Sequence, residues 1–494
     1  IMLPHSMAIL GWIALTSYLA FYVVFFVGLS RLAIHRLRIS PILAAPVVWT
    51  GLEIIRAHLL SGFLMAALGH TQHRWLSVIQ ISDLVGAYGV SFLVMFVAAC
   101  LARALPYNGE GLKIWPLLPA GLAVFAAVLY GQLRLQHELG PAGPRIALIQ
   151  GSIDTQFDVD PVEMNRRIDT QYLQLTREAL KSHPDLDLVV WPESMCTIPL
   201  ITIDEGAWLP AEITARWSVL DSAEASRLEA EQRLPPQLYA LAEQTQRQFG
   251  QLVHAMVANG EPDNRSHPRL LIGVTGQHYG AGQMKSYNSS VYLGDGGEVL
   301  GRYDKMHLVI FGEYIPLGDA FPSLYGFTPL VGGLTPGEEA VSYDVAGYRL
   351  TPNICYETVL PHVIRRQLLM LGDRVPDVLV SQTNDGWFWG SAALDMHLTC
   401  GVFRAIEFRK PLLIAANTGF SAAINADGLV ERRGRRRALD ILVVQPRLDA
   451  RMSLYLLAGD WFAWSCAACC MGLLFFSIFE KIRGWNSGEQ SSRG

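Results

Sequence analysis

Five stretches of this chain, at about residues 7–29, 42–60, 84–104, 115–133 and 459–479, are apolar and approach the roughly 20 residues that a helix needs to cross a bilayer. Each reads as a transmembrane helix, and together they divide the chain. Residues 1–134 read as a membrane domain of about four helices, 135–455 as a polar domain, and 456–494 as a last transmembrane helix with a short tail. The averages, 51% hydrophobic and 17% charged residues, blend these two populations. A net charge of -5 gives no reason to expect nucleic acid as a partner.

The first stretch lacks the basic leader and small-residue cleavage site of a removable signal peptide. Arg31, Arg36 and Arg38 follow it, Arg103 and Lys113 lie between the third and fourth stretches, and Lys481 and Arg483 follow the fifth. Basic loops stay on the cytoplasmic side. Assigning all three clusters there places the segment from about 134 to 458 on the outer face, and the N-terminus with it. An outward N-terminus without a signal, in a chain that begins with Ile1, leads to the expectation of an odd number of further spans upstream. Within the second stretch, Glu53 and Arg56 stand at i,i+3 spacing, close enough to pair on one helix face. Charges at that depth mark function, a structural ion pair, or a pair near the membrane boundary. Cysteine is sparse, with seven residues and no disulfide framework. Cys466-Ala-Ala-Cys469 has zinc-like spacing but no polar ligands beside it, and reads as small-residue helix packing.

The polar segment alternates strand-like and helix-like patterns. Strand candidates are 145–150, 186–191, 270–275, 288–293, 349–354, 378–381 and 412–416, with a helical pattern over 162–182. This mixture predicts a layered α/β or α+β domain around a buried sheet. The stretch of about 200–266 differs. It is rich in Ala, Glu, Gln and Arg, carries an amphipathic run with Leu238, Leu241, Phe249, Leu252 and Met256 on one stripe, and ends in a loop near Asn259 to Asn264. It reads as a surface insertion, partly helical against the core and without chemistry of its own.

Three short motifs carry the chemistry: Val190-Trp191-Pro192-Glu193, Tyr303-Asp304-Lys305 and Asn353-Ile354-Cys355-Tyr356-Glu357. Cys355 is the candidate nucleophile, since a thiol attacks carbonyls well as thiolate when a base or positive charge stands nearby. Glu193 has the chemistry to take its proton, and Lys305 to stabilise a thiolate and then a tetrahedral oxyanion. A lone Cys at a strand end is commonly buried packing and a lone Lys is commonly solvated. Spacing alone does not show that the three converge.

The motifs acquire meaning together. Val-Val-Trp-Pro-Glu ending at Glu193, Tyr-Asn-Ser from Tyr287, Tyr-Asp-Lys-Met-His-Leu-Val around Lys305 and Phe-Gly-Glu-Tyr-Ile-Pro from Phe311 resemble the nitrilase superfamily. So do Asn-Ile-Cys-Tyr-Glu around Cys355, Thr-Asn-Asp-Gly-Trp-Phe from Thr383, Phe-Arg-Ala-Ile-Glu from Phe403 and Ala-Asn-Thr-Gly from Ala416. With the membrane helices, the chain resembles the apolipoprotein N-acyltransferases over about residues 7–480. The resemblance implies a multi-pass helical membrane domain plus a nitrilase-like domain built as a four-layer α-β-β-α sandwich. It also implies Glu193 as general base, Lys305 as oxyanion-stabilising group and Cys355 as nucleophile. Glu313 matches a supporting carboxylate, and Tyr356 and Glu357 match positions beside the nucleophile that the family needs; buried structural partners are the other reading of Glu313 and Glu357. Trp387, Phe388 and Trp389 are candidates for the acyl or headgroup entry, with core packing the alternative.

The implied reaction takes an acyl chain from a phospholipid, phosphatidylethanolamine by analogy, onto Cys355, and passes it to the N-terminal amine of a diacylglyceryl-cysteine lipoprotein. The implied setting is the bacterial cytoplasmic (inner) membrane with the catalytic domain on the periplasmic face, and no cofactor or metal. The family carries seven spans before the catalytic domain, against four here. Two rival readings remain open on these residues: a membrane-tethered amidase or nitrilase acting on a small C–N substrate, and a non-catalytic lipoprotein-binding scaffold.

Overall fold

Among the residues that the computed structural model describes (5–106, 111–154, 159–217, 221–257, 268–318, 320–327 and 333–491), five helices are long and apolar enough to cross a membrane. They span Ile9–His35, Pro41–Ser61, Ser82–Ala104, Leu117–Leu135 and Trp461–Phe479. A helix satisfies its backbone polar groups within its own segment, which hydrocarbon surroundings demand. The second begins where the Ser40 side chain accepts from Ile42 N and Pro41 occupies the first turn. It ends in left-handed backbone at Leu60, Ser61 and Gly62. Arg56 Nη2 lies 3.7 Å from Glu53 Oε1, so the i,i+3 pair forms. Cys466 and Cys470 are buried between helices while Cys469 is exposed.

Among the described residues thirteen strands build the polar domain: β1 (Ile146–Gln150), β2 (Leu188–Val190), β3 (Leu200–Trp208), β4 (Arg269–Ala281), β5 (Gln283–Leu293), β6 (Val299–Asp304), β7 (Tyr343–Val345), β8 (Tyr348–Ile354), β9 (Val378–Thr383), β10 (Leu412–Ala416), β11 (Ala422–Ile424), β12 (Val430–Arg433) and β13 (Asp440–Val444). One sheet runs β13-β1-β2-β4-β5-β6 with β3 beside β4; the other runs β12-β11-β10-β9-β8-β7. Strand side chains alternate between faces, and here both faces are apolar. Leu148, Val190 and Leu271 meet Val378, Val380 and Leu413 between the sheets. The intervening Ile149, Val189 and Ile272 face the helices Pro161–Ser182 and Pro236–Val257. On the other side Leu379, Leu412 and Ile414 face the helix Ala393–Phe408. The result is the four-layer α-β-β-α sandwich, and the strands read as near-continuous apolar runs because both of their faces are covered.

The stretch read as a surface insertion, partly helical against the core, contributes a sheet strand as well as a covering helix. β3 pairs in parallel with β4, and Phe249, Val253 and Met256 of Pro236–Val257 are buried against the first sheet. That helix is one of the two covering the sheet, so its apolar stripe has a sheet to lie on. Among the described residues the stretch also holds two short helices, Ala211–Trp217 and Ser222–Ala230, and Ile213 of the first packs beside Leu238 and Leu241 of the long helix. The expected loop near Asn259 to Asn264 lies outside the described residues.

The third span packs on the outer helix layer of the second sheet, where its Ala87 and Val90, with Val78 and Ile79 of the short helix Leu76–Ile79, join Phe403 and Ile406. A buried ionic cluster fastens the contact. Asp83, in the third span, pairs with Arg134 of the fourth at 2.7 Å and with Arg409 at 2.6 Å, and Arg409 reaches Asp427 at 3.2 Å.

Candidate active site

Glu193, Lys305 and Cys355 each stand just past the end of a strand, where a loop can aim a side chain that the sheet holds still. Glu193 follows β2. Its loop is anchored by Trp191, whose indole donates to Thr176 Oγ1 at 2.9 Å and whose carbonyl accepts from Gln382 Nε2 at 2.7 Å. The loop presses on β4 at Gly273: a Cβ there would lie 2.4 Å from Pro192 O and 2.7 Å from Glu193 Cα, so only glycine leaves room.

Lys305 follows β6 and is 1% exposed. Its Nζ lies 3.2 Å from Glu193 Oε1 and 2.9 Å from Glu313 Oε1. Asn288, on β5, donates from Nδ2 to the same two oxygens at 2.7 and 2.9 Å. One ammonium and one amide therefore bridge two carboxylates. The remaining oxygens are held by backbone, Glu193 Oε2 by Asn384 N at 2.9 Å and Glu313 Oε2 by Val309 N at 2.8 Å. Burial works against the Lys305 charge, but Glu193, Glu313 and Cys355 outweigh it and raise its pKa, so the ammonium persists.

Cys355 follows β8 and adopts φ +52, a left-handed conformation uncommon for a side chain of this kind. The turn is braced by Glu357, which is fully buried. Its Oε2 accepts from Ile354 N at 2.7 Å, and its Oε1 from Met306 N at 2.8 Å and His307 N at 3.1 Å; Tyr303 OH reaches both oxygens. One carboxylate thus ties the lysine loop to the cysteine turn. Burial and the neighbouring Glu193 push the Cys355 thiol well above its ordinary pKa, while Lys305 and Thr383 pull the other way. The group rests as thiol and needs a base to become a nucleophile.

Both loops are also pinned to the end of the second span. Tyr356 OH donates to Gly62 O at 2.8 Å, and His307 Nε2 lies 2.7 Å from Ser61 O. Of the aromatic candidates, Phe388 packs into the core beside Ala393 and Tyr356, whereas Trp387 and Trp389 are 54% and 61% exposed. Asn288 lies in the Tyr-Asn-Ser motif, but β5 also carries Gln283, Lys285, Ser286, Ser289 and Ser290, so nothing local marks Asn288 as the bridging residue. Asn384 and Asp385 lie in the Thr-Asn-Asp-Gly-Trp-Phe motif without a role assigned to them, and His397 lies outside every motif.

The N-terminal part of the chain, residues 2–100, matches the family model of the apolipoprotein N-acyltransferase N-terminal domain, and residues 145–450 match that of the carbon-nitrogen hydrolases. A protein of Rhodopirellula baltica named apolipoprotein N-acyltransferase is 33% identical over 504 residues, covering 97% of this chain and 86% of that protein. This chain belongs to the apolipoprotein N-acyltransferase family. A relative of the same name from Geobacter metallireducens is 32% identical over 92% of this chain and 77% of its own length. Among solved structures, an amidase from Nesterenkonia sp. is similar over 65% of this chain and 95% of that one, at 18% identity and a TM-score of 0.38.

Proposed function

We propose that this membrane enzyme moves an acyl chain from a phospholipid, phosphatidylethanolamine in the first instance, to the free α-amine of a diacylglyceryl-cysteine at a lipoprotein N-terminus. Cys355 carries the chain between them as a thioester. The observation that carries the reading is the bridging of Glu193 and Glu313 by the Lys305 ammonium, beside a cysteine turn that is itself pinned to a membrane helix.

In the first half-reaction Glu193 takes the Cys355 proton and the thiolate attacks the ester carbonyl. The Lys305 ammonium faces the negative oxygen of the tetrahedral intermediate. Glu193 returns the proton to the departing lysophospholipid oxygen, leaving the acyl thioester. In the second, the lipoprotein amine attacks the thioester, Glu193 accepts the amine proton, and the Cys355 sulfur leaves and is reprotonated. Glu313 and Asn288 hold Lys305 and Glu193 at their mutual distance throughout. Two substrates that use one site in turn give ping-pong kinetics.

Neither substrate leaves the bilayer readily, which gives the membrane helices their task. Phe311, Leu317, Phe321, Trp387 and Trp389 expose apolar surface on loops of the catalytic domain, in keeping with lipid chains entering there. The basic loops favour an inner-membrane setting with this domain on the periplasmic face.

Incubation with phosphatidylethanolamine alone should place one acyl group on Cys355, read by mass spectrometry, and a diacylglyceryl peptide added afterwards should remove it. No adduct on the wild type, or an equal adduct on Cys355→Ser, overturns the mechanism. Free fatty acid as the sole product would make the acceptor water.

A further inference from the structure

A second buried network lies against the nucleophile, and neither half-reaction makes use of it. His397, on the helix Ala393–Phe408, has Nδ1 3.0 Å from Asp385 Oδ1 and Nε2 3.2 Å from the backbone carbonyl oxygen of Cys355. Thr383 Oγ1 donates to the same Asp385 oxygen at 3.0 Å. Both partners of the ring, a carboxylate and a peptide carbonyl, only accept hydrogen bonds. Both ring nitrogens therefore carry hydrogen, and His397 is an imidazolium. Its pKa is raised in agreement: burial opposes the charge, and Asp385 with the Cys355 carbonyl outweighs it.

The cysteine turn needs such a partner on two counts. Its φ of +52 persists only where the surroundings over-determine it. Glu357 holds Ile354 N on one side, and His397 holds the carbonyl of Cys355 itself on the other. Charge is the second count. Asp385, like Glu193, disfavours a thiolate at Cys355, and the imidazolium cancels that charge at its source. The site is built closely around the pair: a Cβ at Gly419 would fall 2.0 Å from Asp385 Oδ2.

We propose that Asp385 and His397 form a positioning pair for acyl transfer, in which the His397 imidazolium clamps the Cys355 carbonyl and neutralises Asp385 beside the thiol. The proposal rests on Cys355 being the nucleophile. The pair acts through Cys355 and contacts no substrate in this role.

The test uses the full chain in phosphatidylethanolamine-containing micelles with His397→Ala, His397→Gln and Asp385→Asn. Mass spectrometry reads the rate of Cys355 acylation against lipid concentration and, separately, the rate of Cys355 alkylation by iodoacetamide. His397→Ala should lower the maximal acylation rate at least about tenfold, with the half-saturating lipid concentration unchanged. It should also slow alkylation. His397→Gln, whose amide can donate from about the place of Nε2, should recover part of the acylation, and Asp385→Asn should fall between. Wild-type rates in His397→Ala, or equal losses in the Ala and Gln variants, overturn the proposal. Absence of an acyl adduct on the wild type would instead refute the proposed function, and the alkylation rates would still decide whether the pair governs Cys355.

Discussion

Replacing Glu357 by Gln keeps the shape of a fully buried side chain and turns one of its oxygens into an amide. The carboxylate now accepts from Tyr303 OH, Met306 N, His307 N and Ile354 N, and none of the three backbone donors can reverse its role. The amide has two orientations. With NH2 in place of Oε1 it opposes both Met306 N and His307 N; in place of Oε2 it opposes Ile354 N alone. The second is the cheaper, and it orphans the N–H immediately before Cys355. A buried donor left unpaired costs about 1–3 kcal/mol. If that cost falls on the assembled turn, the acylation rate drops about 5- to 160-fold. The assay is single-turnover acylation of Cys355 by phosphatidylethanolamine, with the thermal unfolding midpoint measured on the same preparations. A Glu357→Gln rate within about twofold of wild type, at an unchanged midpoint, would show that this carboxylate does not hold the lysine loop to the cysteine turn.

Gly273→Ala forces a methyl against the backbone of Pro192, Glu193 and Ser194. It should destabilise by about 1–3 kcal/mol and lower acylation by displacing Glu193; a wild-type melting profile together with a wild-type rate would contradict the close approach. Tyr356→Phe removes the 2.8 Å bond to Gly62 O and should cost about 0.5–1.5 kcal/mol in thermal stability measurements, with slower acylation from phospholipid. The charge on His397 has a pH signature. Burial lowers its pKa, but Asp385 and the Cys355 carbonyl leave it raised. A raised folded-state value gives stability fully present below the unfolded pKa of about 6.5, and lost as pH rises through the folded value. The unfolding midpoint of the wild type should therefore exceed that of His397→Gln most at low pH, with the gap closing on the alkaline side. A gap independent of pH would deny the imidazolium.

The helix Pro236–Val257 illustrates how far local pattern reaches. Its apolar stripe was legible, because a helix repeats its face at fixed spacing whatever lies opposite. What the pattern leaves open is which surface of the core receives the stripe, and here it is the first sheet. The strands behave alike. Runs such as 412–416 announce themselves by composition, while short or polar ones such as β6 and β12 owe their pairing to neighbours distant in sequence and carry little local signal.

By itself, the sequence determined the bilayer-crossing lengths, the apolar strands and the chemical identity of the residues at issue, since each of these is written in contiguous stretches. Only the tertiary structure decided that Glu193 and Lys305, 112 positions apart, stand 3.2 Å from each other. It also decided that Asn288 bridges two carboxylates, that Glu357 joins the lysine loop to the cysteine turn, and that Ser61 and Gly62 at a membrane-helix end hold both. The physical reason is that sheet register and interlayer packing set these distances. Both depend on how the strands of two sheets and their covering helices fill space together, and no window along the chain contains that sum.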